Sequence, residues 1–288
     1  MPTLEAKDTL FSTKSTLNCR GKLLLLDAPL VMGILNVTPD SFYAGSRLRS
    51  TEEVLQRAEA MLADGADMLD IGGYSSRPGA TDIPVQEEID RIIPAIEAIV
   101  SNFPEVVISV DTFRASVAEA AVRAGAAIIN DIAGGNLDEE MFPTVARLQV
   151  PYILMHMRGT PQTMTTLAKY EDVAVEVVDE LQEQVARLKQ LGVKDIILDP
   201  GFGFAKTVSH NFELLRRLDE LRVFGLPILA GLSRKSMVYK TLGIGQADAL
   251  TGTIALNMVA LMKGAAILRV HDVKEAKQTV ELYKKTIL

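Results

Sequence analysis

The most regular feature of the sequence is a set of eight short apolar runs, each ending in a polar residue of a chemically active type. The runs end at Asn36, Asp70, Asp111, Asn130–Asp131, His156, Asp199, Ser233–Lys235 and Arg269–His271. Continuous apolar runs are typical of parallel strands that are buried on both faces. Stretches with helical spacing of apolar residues separate most of the runs, so the pattern predicts parallel βαβ units.

Eight helical stretches fit between and after these runs. They cover residues 52–64, 86–102, 114–124, 139–148, 170–191, 209–223, 247–262 and 272–286. Glycines 65, 125, 192 and 264 each follow one of them, as suits the left-handed position after a helix C-terminus. These glycines recur about every 60–70 residues, which corresponds to two βα units of a (β/α)8 array of about 250 residues. The sequence therefore predicts an α/β protein with the TIM-barrel architecture.

We expect a single domain over residues 1–288, with residues 1–29 outside the barrel repeat. Ser15–Asn18 and Leu23–Leu26 around an Arg20-Gly21 turn predict a β-hairpin that closes the bottom of the barrel. A doubly wound open sheet is the alternative, but no Gly-x-Gly-x-x-Gly follows the first run. In a barrel all strand C-termini meet at one face, so the polar run ends would line one pocket.

Three loops that follow predicted strands one, two and five are longer than the usual two to six residues of a βα connection. They cover residues 38–50, 72–84 and 157–170. Long loops at the catalytic face of a barrel often act as lids, although a surface insertion is the alternative.

Composition and net charge limit the kinds of molecule that the protein can be expected to bind. The chain of 288 residues is 48% apolar and 23% charged, with a net charge of −7, which argues against a nucleic-acid partner. Cys19 is the single cysteine, so an intramolecular disulfide is impossible. The apolar run Leu23–Leu26 is too short for a signal segment or a membrane span. We therefore expect a cytoplasmic protein.

An ordered set of motifs spans residues 32 to 272. It consists of Met32–Phe42, Asp70–Gly73 with Ser75–Ala80, Ser109–Thr112, Ile129–Asp131, Met155–Met157, Leu198–Phe204, Gly231–Ser236 and Arg269–Asp272. In order and spacing these motifs resemble those of the dihydropteroate synthase family. The resemblance implies a pterin-binding TIM barrel, a target of sulfonamides, that works in folate synthesis. Such an enzyme joins 6-hydroxymethyl-7,8-dihydropterin diphosphate to p-aminobenzoate and releases diphosphate and 7,8-dihydropteroate.

The pterin ring presents alternating donors and acceptors, which carboxylates and an amide can match. Asp111, Asn130 and Asp199 offer this set from three strand ends, although Asp and Asn also form turns at such positions. The resemblance assigns these three residues and Lys235 to the pterin. It also implies that Asp111 stabilises the cation left when diphosphate departs.

Diphosphate requires positive charge on an otherwise acidic protein. The cationic residues at or just after strand ends are Arg77, Arg234, Lys235, Arg269 and His271. The resemblance implies that diphosphate is bound by Asn36, Arg77, Arg269 and His271. It also implies that the catalytic residues are Asp111, Lys235, Arg269 and His271. Asn36 is implied as the protein ligand of Mg²⁺, which takes few protein ligands, although this side chain could instead cap the turn that follows.

For the second substrate, p-aminobenzoate, the resemblance implies contacts with Phe42, Ser76, Pro78, Phe204 and Ser233. Phe204 could equally belong to the core. Two positions depart from the frequent family pattern: Tyr74 stands in place of an acidic residue, and Ser76 in place of threonine. The implied mechanism is dissociative and depends on electrostatic stabilisation, so it needs no strong general base.

Two rival functions remain. A pterin-dependent methyltransferase would share the Asp/Asn/Asp set but has no use for Arg77, Arg269 and His271. A non-catalytic pterin-binding paralogue would be expected to lack one of the five residues Asn36, Arg77, Asp111, Lys235 and Arg269, and none is lost. The sequence assigns no role to Asp70 or His156. The apolar stretch Ala249–Met262 exceeds what one core needs to bury, so we expect a homodimer.

Overall fold

The computed structural model describes residues 15–37, 47–75 and 82–287 of the chain. The strands in this part are β1 Thr16–Cys19, β2 Lys22–Leu25, β3 Leu30–Asn36, β4 Met68–Gly72, β5 Val107–Asp111, β6 Ile128–Asp131, β7 Tyr152–Met155, β8 Ile196–Asp199, β9 Leu229–Ala230 and β10 Ile267–Val270. The α-helices in this part are α1 Arg47–Ala63, α2 Val85–Asn102, α3 Ala115–Ala124, α4 Met141–Leu148, α5 Val173–Gln190, α6 Val208–Arg216, α7 Ser236–Leu242, α8 Leu250–Met262 and α9 Val273–Ile287.

Strands β3 to β10 form one parallel sheet that closes on itself. Their order is β8-β7-β6-β5-β4-β3-β10-β9. A parallel bridge between Leu198 and Ile228 joins the two ends, and the amide of Leu198 donates to the carbonyl of Pro227 at 2.9 Å. The predicted TIM barrel is confirmed.

The lower half of the barrel interior is an apolar layer. Since side chains alternate along a strand, one residue of each strand points inward at this level. The layer is formed by Met32, Met68, Val107, Ile128, Ile153, Ile197, Leu229 and Ile267. Leu17 and Cys19 of the β1–β2 hairpin pack against it from below. The hairpin therefore closes the bottom of the barrel, as the sequence predicts.

The next inward-facing position on each strand forms a mostly polar layer. Two residues beyond the apolar layer lie Ile34, Asp70, Ser109, Asn130, Met155, Asp199, Gly231 and Arg269. A layer of this kind, at the carboxyl ends of the strands, is where barrel enzymes place their chemistry. The fold thus brings most of the polar run ends to one place.

The helices differ from the predicted spans at several points; α1 begins at residue 47 instead of 52, and α8 begins at 250 instead of 247. The stretch predicted as one helix over 209–223 is α6 followed by a 3-10 helix, Leu218–Phe224, in which Leu218 and Leu221 are buried three residues apart. This spacing suits a 3-10 helix. Helix α5 begins at Val173 instead of 170, because Asp172 caps the amides of Ala174 and Val175.

Helix α7 lies where the sequence pattern predicts no helix. It has seven residues and buries Met237 and Val238, which is too few apolar positions to show helical spacing. The preceding apolar run is a strand only at Leu229–Ala230, so the backbone leaves the sheet earlier than predicted. Among the described residues, no helix is both long enough and apolar enough to cross a membrane.

Candidate active site

Arg269 stands at the centre of the polar layer. Its Nε lies 2.6 Å from Oδ2 of Asp70, and its terminal Nη2 lies 2.6 Å from Oδ2 of Asp111. Asn130 donates from Nδ2 to the same oxygen of Asp70 at 3.0 Å. Four side chains from β4, β5, β6 and β10 are therefore joined in one network across the barrel.

The charges of this network are set by burial and by each other. Burial raises the pKa of Asp111 to about 7, although the positive charge of Arg269 works against the rise. Burial also opposes the charge of Arg269, but the carboxylates of Asp70 and Asp111 outweigh it and hold the pKa of Arg269 above its usual range. Asp111 is thus a carboxylate that loses its charge just below neutral pH.

Asp199 and Lys235 carry opposite charges and both lie near Gly231, beside the network. Asp199 is buried at the end of β8 and accepts from the amide of Gly201 at 2.8 Å. A Cβ atom at Gly231 would lie 3.6 Å from Nζ of Lys235 and 3.9 Å from Oδ2 of Asp199, so this glycine leaves open the space beside both groups. Burial lowers the pKa of Lys235 to about 8, although Asp199 favours its charged form.

Ser233 and His271 are paired at the ends of β9 and β10. The hydroxyl of Ser233 lies 3.0 Å from Nδ1 of His271 and accepts from the amide of His271 at 3.2 Å. Arg234, in contrast, holds Asp272 with two hydrogen bonds of 2.9 and 2.8 Å and donates to the carbonyl of Ala247. The charge of Arg234 is thus neutralised within the fold, and it contributes little positive field to the pocket.

Asn36 ends β3 and is exposed, and its side chain makes no hydrogen bond to any described residue. A Cβ atom at Gly72 would lie 3.6 Å from Oδ1 of Asn36 and 3.3 Å from Cβ of Asp111, so the two side chains flank this glycine. In the described ranges no three His, Cys, Asp or Glu side chains group as a metal cage. A single amide oxygen fits Mg²⁺, which otherwise binds phosphate oxygens and water.

The loop after β8 carries Phe204 and is fixed by two lysines. Lys235 donates from Nζ to the carbonyl of Phe202, and its Nζ lies 4.9 Å from the centre of the Phe204 ring. Lys206 donates to the carbonyls of Gly201 and Phe204, both at 3.1 Å, and its Nζ lies 2.9 Å from Nδ1 of His156. Phe204 is half-buried against Met and Ala side chains but still faces the pocket edge occupied by Lys235.

His156 is therefore buried beside the pocket and not within it. Its Nε2 lies 2.9 Å from Oε2 of Glu180 on α5, and only 4% of the residue is exposed. Burial lowers its pKa to about 4, and the neighbouring ammonium of Lys206 acts in the same direction. The imidazole stays neutral at physiological pH and acts as a hydrogen-bonding link.

All nine predicted site residues that the structure describes lie at this face. They are Asn36, Asp111, Asn130, Asp199, Phe204, Ser233, Lys235, Arg269 and His271. The predicted contacts Phe42, Ser76, Arg77 and Pro78 lie outside the described residues, so their roles stay predictions. The pattern assigns no role to two residues of the site, Asp70 and Lys206; Asp70 ends an apolar run like the other site residues, whereas Lys206 carries no such signal.

A closed parallel barrel with a carboxylate, amide and cation cluster at its carboxyl face defines a class of enzymes that bind a flat, polar heterocycle. Residues 32–271 match the family described as pterin binding enzyme. The dihydropteroate synthase of Escherichia coli strain K12 is 45% identical over 271 residues, which cover 93% of this chain and 95% of that protein.

Two solved structures share the fold. The Xanthomonas albilineans dihydropteroate synthase in complex with 7,8-dihydropteroate superimposes with a TM-score of 0.83 at 38% identity, covering 94% of this chain and 98% of that one. The Yersinia pestis enzyme with a sulfonamide drug complex gives a TM-score of 0.87 at 42% identity, with the same coverage of 94% and 98%. The chain therefore belongs to the pterin-binding enzyme family, and these three relatives are dihydropteroate synthases. The family and the transferase class predicted from the motifs are confirmed.

Proposed function

We propose that this chain condenses 6-hydroxymethyl-7,8-dihydropterin diphosphate with p-aminobenzoate to give 7,8-dihydropteroate and diphosphate. The observation that carries the proposal is the contact of Arg269 with Asp111 beside Asn130. In this contact Arg269, whose positive charge suits an anion, lies directly against Asp111, whose negative charge suits a cation. Substitution at a methylene between a pterin ring and a diphosphate needs this neighbourhood of opposite charges.

The pterin is proposed to lie on the polar layer, held by Asp111, Asn130, Asp199 and Lys235. The carboxylates accept from the ring N–H and amino groups, and the amide of Asn130 can both donate and accept. The buried position of Asp199 and Asn130 keeps water from competing for these hydrogen bonds. Lys235 donates to a ring oxygen or nitrogen from beside Asp199.

Diphosphate is proposed to lie at the ends of β3 and β10, near Asn36, Arg269 and His271, with Arg77 as a further contact. Arginine suits this group because its planar fork can donate two parallel hydrogen bonds to phosphate oxygens. Asn36 would hold Mg²⁺, which when bound neutralises charge on the departing diphosphate. His271 precedes α9, whose N-terminal amides favour an anion.

The proposed reaction breaks the bond between the methylene carbon and the diphosphate oxygen, and the electron pair leaves with diphosphate. Asp111 stabilises the resulting pterin methylene cation electrostatically. The amine nitrogen of p-aminobenzoate then bonds to the methylene carbon and loses a proton. Contacts to p-aminobenzoate are proposed for Phe204 and Ser233, and for Phe42, Ser76 and Pro78 in the loops.

Incubation of the purified chain with Mg²⁺ and both substrates, followed by mass spectrometry, tests the proposal. We expect 7,8-dihydropteroate, and we expect a sulfonamide to compete with p-aminobenzoate in the steady state. Asn36→Ala should raise the Mg²⁺ concentration that gives half-maximal rate, whereas Asn102→Ala, on an exposed helix end, should not. Purely non-competitive inhibition by the sulfonamide would contradict the pocket assignment.

We also propose that the protein is a homodimer that uses the exposed apolar face of α8. Ala255, Val259 and Met262 lie on one side of this helix, and Met262 is 63% exposed. Covering this face would remove apolar surface from water. Light scattering on the wild type and on Val259→Glu tests the idea: a dimer that dissociates supports it, and a monomeric wild type refutes it.

A cytoplasmic location is proposed as well. The thiol of Cys19 lies buried between the hairpin and the bottom of the barrel, where burial raises its pKa to about 12 and keeps it unreactive. Fractionation of cells expressing the untagged chain tests the location.

A further inference from the structure

We propose that Lys206 is a positioning residue for the second substrate, because its ammonium clamps the glycine-rich loop that carries Phe204. The proposal rests on the proposed function in one respect, namely that Phe204 contacts p-aminobenzoate. Lys206 itself lies behind the loop, and within the described part of the chain it makes no hydrogen bond to the side chains assigned to the pterin or to diphosphate.

The clamp is a three-point contact. The ammonium has three N–H donors, and the three acceptors around it are the carbonyls of Gly201 and Phe204 and the imidazole nitrogen Nδ1 of His156. The two carbonyls lie at the start and near the end of the loop, so one cation ties both to the end of β7. Each donor of the protonated side chain thus has an acceptor.

The loop that carries Phe204 needs these hydrogen bonds because its backbone conformation is unusual. Gly201, Gly203 and Ala205 all have positive φ, of +71°, +82° and +48°. With left-handed residues at alternate positions, the carbonyls and amides of the loop cannot pair with each other as they do in a helix or a sheet, so they need other hydrogen-bond partners. Asn211 accepts from the amide of Gly203 at 2.7 Å, and Lys206 satisfies two of the carbonyls.

His156 holds the cation in place. An ammonium has no acceptor, so Nδ1 of His156 must be unprotonated and the ring proton must lie on Nε2, which donates to Glu180. Arg158 fixes Glu180 in turn, with Nε 2.9 Å from Oε1. The chain from Arg158 to Lys206 thus connects the β7–α5 loop to the loop that carries Phe204.

The clamp is complete only while Lys206 is protonated. Burial lowers its pKa to about 7. The groups that face the ammonium act in both directions: Asp199 on β8 and Glu180 on α5 favour the proton, whereas Lys235 before α7 and Arg158 after β7 oppose it. At alkaline pH the neutral amine has two donors for three acceptors, so the loop loses one attachment.

The first test is kinetic. In Lys206→Met we expect KM for p-aminobenzoate to rise about tenfold, the order expected for the loss of a charged hydrogen bond, with KM for the pterin substrate within about twofold of wild type. The ratio of the two p-aminobenzoate KM values, variant to wild type, should shrink as the pH is raised above 7, because the wild type then loses its own clamp. Lys189→Met, at an exposed lysine near the end of α5, is the matched control and should change neither value.

Two kinetic outcomes would overturn the proposal. One is an unchanged KM for p-aminobenzoate in Lys206→Met. The other is a ratio that does not depend on pH, since that would mean a structural role unrelated to the charge.

The second test is made on the wild type and does not depend on activity. Long-range ¹H–¹⁵N correlation spectra resolve the three histidines of the chain, and single substitutions are needed only to assign the signals. We expect His156 as the neutral Nε2–H tautomer at pH 6.5, with the shift of Nδ1 changing as Lys206 loses its proton. An Nδ1–H tautomer would refute the clamp. If the wild type makes no dihydropteroate but shows the expected tautomer, the proposed function fails while the clamp stands.

Discussion

Nη2 of Arg269 lies 2.6 Å from Oδ2 of Asp111, so a group proposed to bind the leaving anion is paired with the group proposed to stabilise the cation. Asp70 holds the same guanidinium through Nε. Arg269 can therefore turn its terminal nitrogens to diphosphate while Asp70 keeps its Nε in place. Asp111 would then face the pterin without Arg269 beside it, at the stage of the reaction at which positive charge develops on the pterin methylene.

Asp111→Asn should lower kcat by two to three orders of magnitude, roughly the cost of losing one preorganised electrostatic group, with KM for p-aminobenzoate changed by less than about threefold. The amide keeps the shape and hydrogen-bonding capacity of the side chain but removes the charge that stabilises the cation. Steady-state kinetics with both substrates varied gives both values. An unchanged kcat would mean that the cation is stabilised elsewhere.

Asp70→Asn should raise KM for the pterin diphosphate and lower kcat/KM by about ten- to a hundredfold, since a buried charged hydrogen bond to Arg269 is worth roughly 1.5–3 kcal/mol. Asp70 is buried beneath the pocket, so the effect must act through the position of Arg269. Asp219→Asn, which removes an exposed partner of Lys263, is the control and should leave kinetics unchanged. Equal, small effects in both variants would remove Asp70 from the site.

The pH profile of kcat/KM for the pterin diphosphate, whose KM does not depend on Lys206, should be bell-shaped and narrow, with limbs near 7 and 8. Burial raises the pKa of Asp111 to about 7, so its carboxylate is lost as the pH falls below that value. Burial lowers the pKa of Lys235 to about 8, so its positive charge is lost as the pH rises. Asp111→Asn should abolish the acid limb, and Lys235→Arg should move the alkaline limb out of range. An acid limb that persists in Asp111→Asn would contradict the assignment.

Two glycines with similar positive φ angles allow a matched test of the Phe204 loop. At Gly192, with φ +82°, a Cβ atom would have no described atom within 4 Å, whereas a Cβ atom at Gly201, with φ +71°, would lie 2.0 Å from the carbonyl oxygen of His156. Gly192→Ala should cost about 1–2 kcal/mol of the free energy of unfolding, the penalty for a left-handed alanine. Gly201→Ala should cost about 1–3 kcal/mol more and should also raise KM for p-aminobenzoate, because the backbone must shift. Urea unfolding and kinetics of both variants, compared directly, decide whether the close approach matters.

Periodicity predicts the barrel because each strand is a buried apolar run and each long helix has an apolar face. The strand ends at Asp111 and Asp199 fall where the runs predict them. Helix α7 escapes the pattern because its seven residues bury only Met237 and Val238. Short elements of this kind are fixed by tertiary packing, which local spacing does not report.

The site is less accessible to sequence reasoning than the fold. Asp70 ends an apolar run, yet its partner Arg269 is 199 residues away along the chain, so only the closed barrel reveals the pair. Lys206 follows no strand directly and lies in no polar cluster of the sequence. Its role depends on loop carbonyls, which carry no side-chain signal.

The most direct test of the proposed synthase function is to measure diphosphate release and dihydropteroate formation in the same reaction. The reaction contains purified protein, Mg²⁺ and the pterin diphosphate, and is run with and without p-aminobenzoate. We predict that diphosphate appears only when p-aminobenzoate is present, and in a one-to-one ratio with 7,8-dihydropteroate. Release of diphosphate with no dihydropteroate formed would contradict the proposed synthase function.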